Sequence, residues 1–197
     1  MARARTAVVG VVENGSSAVL VTIASDGALL DRRRVDLTGP DMPTHPHHHQ
    51  GSWAVGRYLS TPGARPMPLA DAVALVERVR VAAARGAREA LADLAAAVAS
   101  TKVPIRGITL RVCPPLPPTV EERIADNRAQ TYADTVMYRE ALAAAAEARG
   151  WKVHWYDRER VRVSAAIDAM GKSIGPPWQA AHKLAAAAAV AALASRA

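Results

Sequence analysis

Between Arg123 and Tyr138, polar side chains recur three or four residues apart: Arg123, Asn127, Thr131, Asp134 and Tyr138. On a helix that spacing aligns them along one stripe. A solvent-facing stripe is the expectation. The scarcity of large apolar residues between Ile124 and Val136 leaves a cleft wall open, with Arg123, Arg128 and Asp134 as site candidates. A second cluster, His45-Pro46-His47-His48-His49, offers imidazoles of the kind that ligate Zn²⁺ or Ni²⁺. Adjacent histidines without cysteine lack the spacing of a structural zinc site, so they read as incidental surface residues.

Gly171-Lys172-Ser173 imitates the end of a phosphate-binding loop, but the motif's first glycine falls on Ala166. That excludes a nucleotide-triphosphatase signature. A smaller anion site survives it: Lys172, His182 and Lys183 beside the N-terminal amides of a last helix. Trp178 next to them is placed to stack on a base or to close the core. The single cysteine, Cys113, has apolar neighbours and reads as a buried, inert thiol in a reducing compartment.

The elements that must position these residues follow from periodicity and breakers. Thr6–Glu13 is a nearly continuous apolar run, as a strand buried on both faces requires. Residues 18–25 form a second strand, and Asp26-Gly27 is a hairpin signal leading into a third over residues 28–37. Asp31, Arg32, Arg33, Arg34 and Asp36 make that third strand wet on at least one face, which suits a sheet edge. Residues 38–68 read as one long Pro/His-rich loop.

A helix is expected over residues 69–99, with Gly86 marking a bend or a close contact. The fourth strand spans residues 104–112 and is stopped by Pro114-Pro115-Leu116-Pro117-Pro118. Thr119 and Glu122 form a capping box for a helix running to about Arg149, with Gly150 as its stop. The fifth strand covers residues 151–156, a polar connector follows, and Pro176-Pro177 is expected to open the closing helix. Three clustered strands form an antiparallel meander, while the two reached through helices run parallel to the first. The expected result is one α/β domain over residues 1–197, with sheet order 3-2-1-4-5 and the succession β-β-β-α-β-α-β-α.

The chain of 197 residues is half hydrophobic, with 4% aromatic residues and no Phe, so its core must be built from Ala, Val, Leu and Ile with closely packed backbones. A net charge of +7 favours acidic partners, DNA or RNA first, although the excess of Arg together with so much Ala also fits a GC-rich coding bias. The opening Met-Ala-Arg-Ala-Arg-Thr runs straight into a strand, and the last helix is too short and too Ala-rich to span a bilayer. A cytoplasmic protein without membrane association is expected.

Val8-Val9-Gly10-Val11-Val12-Glu13-Asn14-Gly15 resembles the first strand and turn of ribonuclease H-like proteins, including the Holliday-junction resolvase branch. Gly175-Pro176-Pro177-Trp178-Gln179-Ala180-Ala181-His182-Lys183-Leu184 is similar to the final helix of that branch. The resemblance implies an Asp near the end of strand one, an acid after strand four, and an acid or His on the last helix. Together these hold two divalent metals, Mg²⁺ or Mn²⁺, against the attacking and leaving oxygens of a phosphodiester.

Matching Gly10 to the family glycine puts Val12 where that Asp belongs, with Glu13 one residue on and facing the other way. Strand four ends in Arg111-Val112-Cys113 with no acid, and the last helix offers His182 and Lys183. The resemblance with its missing acids therefore implies a degenerate metal site in a domain that binds nucleic acid or another partner; the residues read above, Arg123, Arg128, Lys172, Lys183 and Trp178, are the expected anion-contacting set. One alternative is an Mg²⁺- or Mn²⁺-dependent nuclease or resolvase in which Glu13, Asp134 and His182 are catalytic and Glu13 and Asp134 hold the metal. Another is a structural or regulatory homodimer joined through the Ala-rich helices.

Overall fold

The computed structural model describes residues 4–48 and 67–195. β1 (Ala7–Asn14), β2 (Ser17–Ala24) and β3 (Leu29–Asp36) form the antiparallel meander. β4 (Ile105–Arg111) lies parallel to β1, and β5 (Lys152–Tyr156) parallel to β4. The sheet order is β3-β2-β1-β4-β5, as expected from the order of elements. The charged strand β3 is at an edge, where its arginines discourage further strand pairing.

Helix α1 (Leu69–Ala99) and helix α3 (Asn127–Glu147) cover one face, meeting Val9, Val11, Leu20, Ile108 and Leu110. α4 (Ala165–Ile174) and α5 (Ala180–Ala194) cover the other, against Val8, Val21 and Ile23. The small core residues produce the expected close packing of backbones. A Cβ on Gly10 would lie 1.8 Å from the Ala185 carbonyl oxygen, and one on Gly86 would lie 2.2 Å from that of Leu37. Gly86 therefore marks a close contact of α1 with the end of β3. Ala185–Ala189 are buried within the chain, so α5 uses its small residues on the sheet.

Three expectations about helices need correction. The helix expected from Thr119 to Arg149 is broken: α2 (Val120–Ala125) ends at Asp126, whose carboxylate accepts from the amides of Arg128 and Ala129 and starts α3 anew. The Thr119–Glu122 capping box forms as expected. The connector after β5 contains a short 3-10 turn and α4, which begins at Ser164 and buries Ile167.

Pro176-Pro177 does not open the closing helix, which begins at Ala180. The Arg32 guanidinium instead donates to the carbonyls of Gly175 (2.9 Å), Pro176 (3.0 Å) and Pro177 (2.5 Å), holding that stretch outside the helix. Among the described residues no helix is long and apolar enough to cross a membrane.

Candidate nucleic-acid interface

The C-terminal ends of β1, β4 and β5 open onto a cleft of about 810 Å³. Ligands of open α/β sheets commonly bind outside those strand ends. Glu13 and Asn14 come from β1, Arg111 through Pro117 from the end of β4, and Asp157 from the end of β5. Arg128, Thr131, Tyr132, Thr135 and Arg139 close it from α3, and His45 reaches it from the segment after β3.

Glu13 points to the α3 face, as its register one residue beyond Val12 requires. No register shift occurs there: Glu13 opposes Ala18 and Asn14 opposes Ser17 in a regular ladder. Its carboxylate accepts from Arg139 Nε at 2.7 Å and also from Nη2. Arg139 Nη1 donates to the Val112 carbonyl at 2.9 Å. The two side chains are only 7% and 5% exposed, so this ion pair ties the ends of β1 and β4 to α3. Val12 packs instead among the apolar residues facing α5. There the Tyr156 hydroxyl donates to the Val11 carbonyl, and burial pushes it up to about 12.

Asp134 is 1% exposed and belongs to the interior, as does Tyr138 at 0%, so the solvent-facing stripe does not hold for these two. The stripe rotates inward along α3 because α1 and the segment after β3 both pack on it. Asp134 Oδ1 accepts from the His47 amide (2.9 Å) and pairs with His47 Nδ1 (2.7 Å), while Oδ2 pairs with His48 Nδ1 (2.8 Å). Tyr138 donates to the Thr44 carbonyl at 3.0 Å.

The surface reading of the histidines is thus corrected for His47, which is 1% exposed; His49 lies outside the described residues. Burial alone would raise the Asp134 carboxyl, but hydrogen bonds from His47 and His48 hold it below its ordinary range. The hydrogen bond to Asp134 raises His48. The function visible for this cluster is to fasten residues 38–48 to α3.

Near α5 the expected anion site is not assembled. His182 is buried, its Nδ1 accepts from the Gln179 amide at 3.3 Å, and burial followed by the nearby Arg32 charge lowers it. Lys183 is paired with Asp168 at 2.7 Å. Trp178 donates from Nε1 to the Ile167 carbonyl at 2.9 Å and packs where a Cβ on Gly171 would stand, so it closes the core. Lys172 remains exposed in the last turn of α4. Arg123 donates to the Pro117 carbonyl at 2.8 Å and fixes the Pro-rich wall of the cleft.

The residues present do not fit the two-metal centre that the resemblance implies. The Glu13 carboxylate is taken up by a guanidinium, which neutralises an acid but offers no open coordination position. Asp134 is enclosed by two imidazoles, and His182 sits on the α5 side of the sheet. Among the described residues no three His, Cys, Asp or Glu side chains are grouped to hold a metal ion. Cys113 lines the cleft half-buried, and burial raises its thiol, which keeps it protonated.

What the cleft offers is cationic. Its described acids are already bonded: Glu13 to Arg139, Asp126 to the amides of α3, and Asp157 to the Glu159 amide at 2.9 Å. No described carboxylate lies within ion-pairing distance of Arg111 or Arg128. Arg111, Arg139 and Tyr132 were not among the sequence candidates. A charged residue at position 139, between the apolar Met137, Tyr138 and Leu142, was the available signal for a buried pair.

No family model matches the chain, and none of the curated proteins does. Among solved structures, T. thermophilus RuvC in complex with a Holliday junction substrate is similar at 14% identity, over 97% of this chain and 95% of that one, with a TM-score of 0.49. That match concerns the path of the chain and carries no functional weight.

Proposed function

We propose that this chain binds nucleic acid through its phosphates at the cleft over β1, β4 and β5, and that binding, not metal-assisted cleavage, is what the cleft does. The observation that carries this reading is the pairing of charges. Among the described residues, every acid lining the cleft is committed to a donor of the protein, while Arg111 and Arg128 have no carboxylate within ion-pairing distance. Arginine presents a planar fork of donors matched to phosphate oxygens. The net charge of +7 adds a long-range attraction to polyanions.

Titration of the full chain into labelled DNA and RNA at low and high salt tests it, because counterion release makes phosphate contacts strongly salt-dependent. The expected result is binding that falls steeply with salt and is unchanged by EDTA. Absent or salt-independent binding would refute the proposal. Mn²⁺-dependent cleavage lost in Glu13→Gln would favour the nuclease reading instead.

A further inference from the structure

Tyr132 is 44% exposed and lines the same cleft as Arg128, one helical turn before it on α3. Among the described residues, Tyr132 has no hydrogen-bond partner and Arg128 beside it has no carboxylate partner, so the ring is left accessible in the cleft. Tyr138, by contrast, is fully buried and bonded to Thr44. Across the cleft, Pro114, Pro115 and Pro117 form a wall that lacks amide donors at each proline and so offers little hydrogen-bond readout of base edges. Arg123 holds that wall in place through the Pro117 carbonyl. The volume of about 810 Å³ lies in the range of sites that enclose a small ligand, about 300–1,000 Å³.

We infer that the nucleic acid taken by this cleft is single-stranded, with an unpaired base stacked on the Tyr132 ring and flanking phosphates on Arg128 and Arg111. This rests on the phosphate-binding reading above and adds to it the strandedness of the ligand. A duplex hides its base faces within its own stack, so an exposed ring in the cleft gains nothing from it. A single strand turns those faces outward, and stacking on them is tolerant of sequence. The cationic fork and the ring are spaced by the helix itself, which places phosphate and base contacts on successive turns.

The test uses the full chain with fluorescent single-stranded DNA, single-stranded RNA, a hairpin duplex of matched charge, and free mononucleotides, all at one low salt concentration. Single strands are expected to bind at least about tenfold tighter than the hairpin. Tyr132→Ala should weaken single-strand binding by about 5- to 150-fold, the range for losing one base stack, with little change for the hairpin. Tyr132→Trp should retain single-strand binding, and matching thermal melts would show that both variants fold.

Hairpin binding as tight as single-strand binding, or Tyr132→Ala binding single strands like the parent, would overturn the inference while leaving phosphate binding intact. A mononucleotide binding as tightly as an oligonucleotide would also overturn it, since the site would then be a nucleotide pocket. No binding of any ligand would overturn both this inference and the reading beneath it.

Discussion

On the face of the sheet covered by α4 and α5, Val8, Val21, Ile23 and a run of alanines meet so closely that Gly10 leaves no room for a Cβ beside Ala185. On the face covered by α1 and α3, the interior holds two charged clusters, Glu13 with Arg139 and Asp134 with His47 and His48. The end of β1 belongs to both faces, Val12 to the first and Glu13 to the second. A shift of one residue along a strand reverses the face. Here it places the Glu13 carboxylate away from the last helix and against Arg139, in a buried ion pair. Among the described residues, the cleft above the strand ends has its acids bonded within the protein and Arg111 and Arg128 without a carboxylate partner.

The charged face should be the more fragile. Arg139→Met leaves the Glu13 carboxylate buried without a partner and should cost about 3–5 kcal/mol in chemical denaturation. Adding Glu13→Leu should restore most of that stability, because the pair is then replaced by apolar groups. A double variant no more stable than Arg139→Met alone would mean that the arginine is needed for its bond to the Val112 carbonyl more than for the charge pair.

The dry face should give way next. Gly10→Ala drives a methyl into the Ala185 carbonyl and should cost about 2–3 kcal/mol, with α5 displaced from the sheet. A melt unchanged from the parent would show that α5 slides freely on β1, which the packing denies.

The smallest effect concerns the tether of residues 38–48. His48 is raised above its ordinary 6.5 by Asp134, so its contribution is fully present below that pH and is lost as pH rises through its folded value. Asp134 is lowered from 3.8, so its contribution is present above that value and lost as pH falls below it. His48→Gln should therefore cost most between these limits, about 0.5 kcal/mol given the partial exposure of His48, and progressively less in alkaline solution. A cost that grows with pH would reverse the assignment of the proton.

The parts legible in the sequence were those set by neighbours along the chain. Asp26-Gly27, the Thr119–Glu122 box and the prolines after Val112 act locally, and each falls where the topology needs it. The break at Asp126 was hidden because an acid inside a helical pattern looks like any surface acid until its side chain takes the amides ahead of it. The burial of His47 depends on Asp134, 87 residues away, and no local signal announces such a partner. The face of Glu13 follows from strand alternation, but its partner Arg139 lies 126 residues further along the chain and is one arginine among many in the sequence.

The most direct test of the account is the salt dependence of single-strand binding by Arg111→Ala/Arg128→Ala compared with the parent chain. If those two guanidinia each meet a phosphate, the slope of log affinity against log salt should shrink by about 1.4, from about 0.7 per phosphate on a single strand. An unchanged slope would contradict the account, because the cleft above β1, β4 and β5 would then not be where the nucleic acid lies.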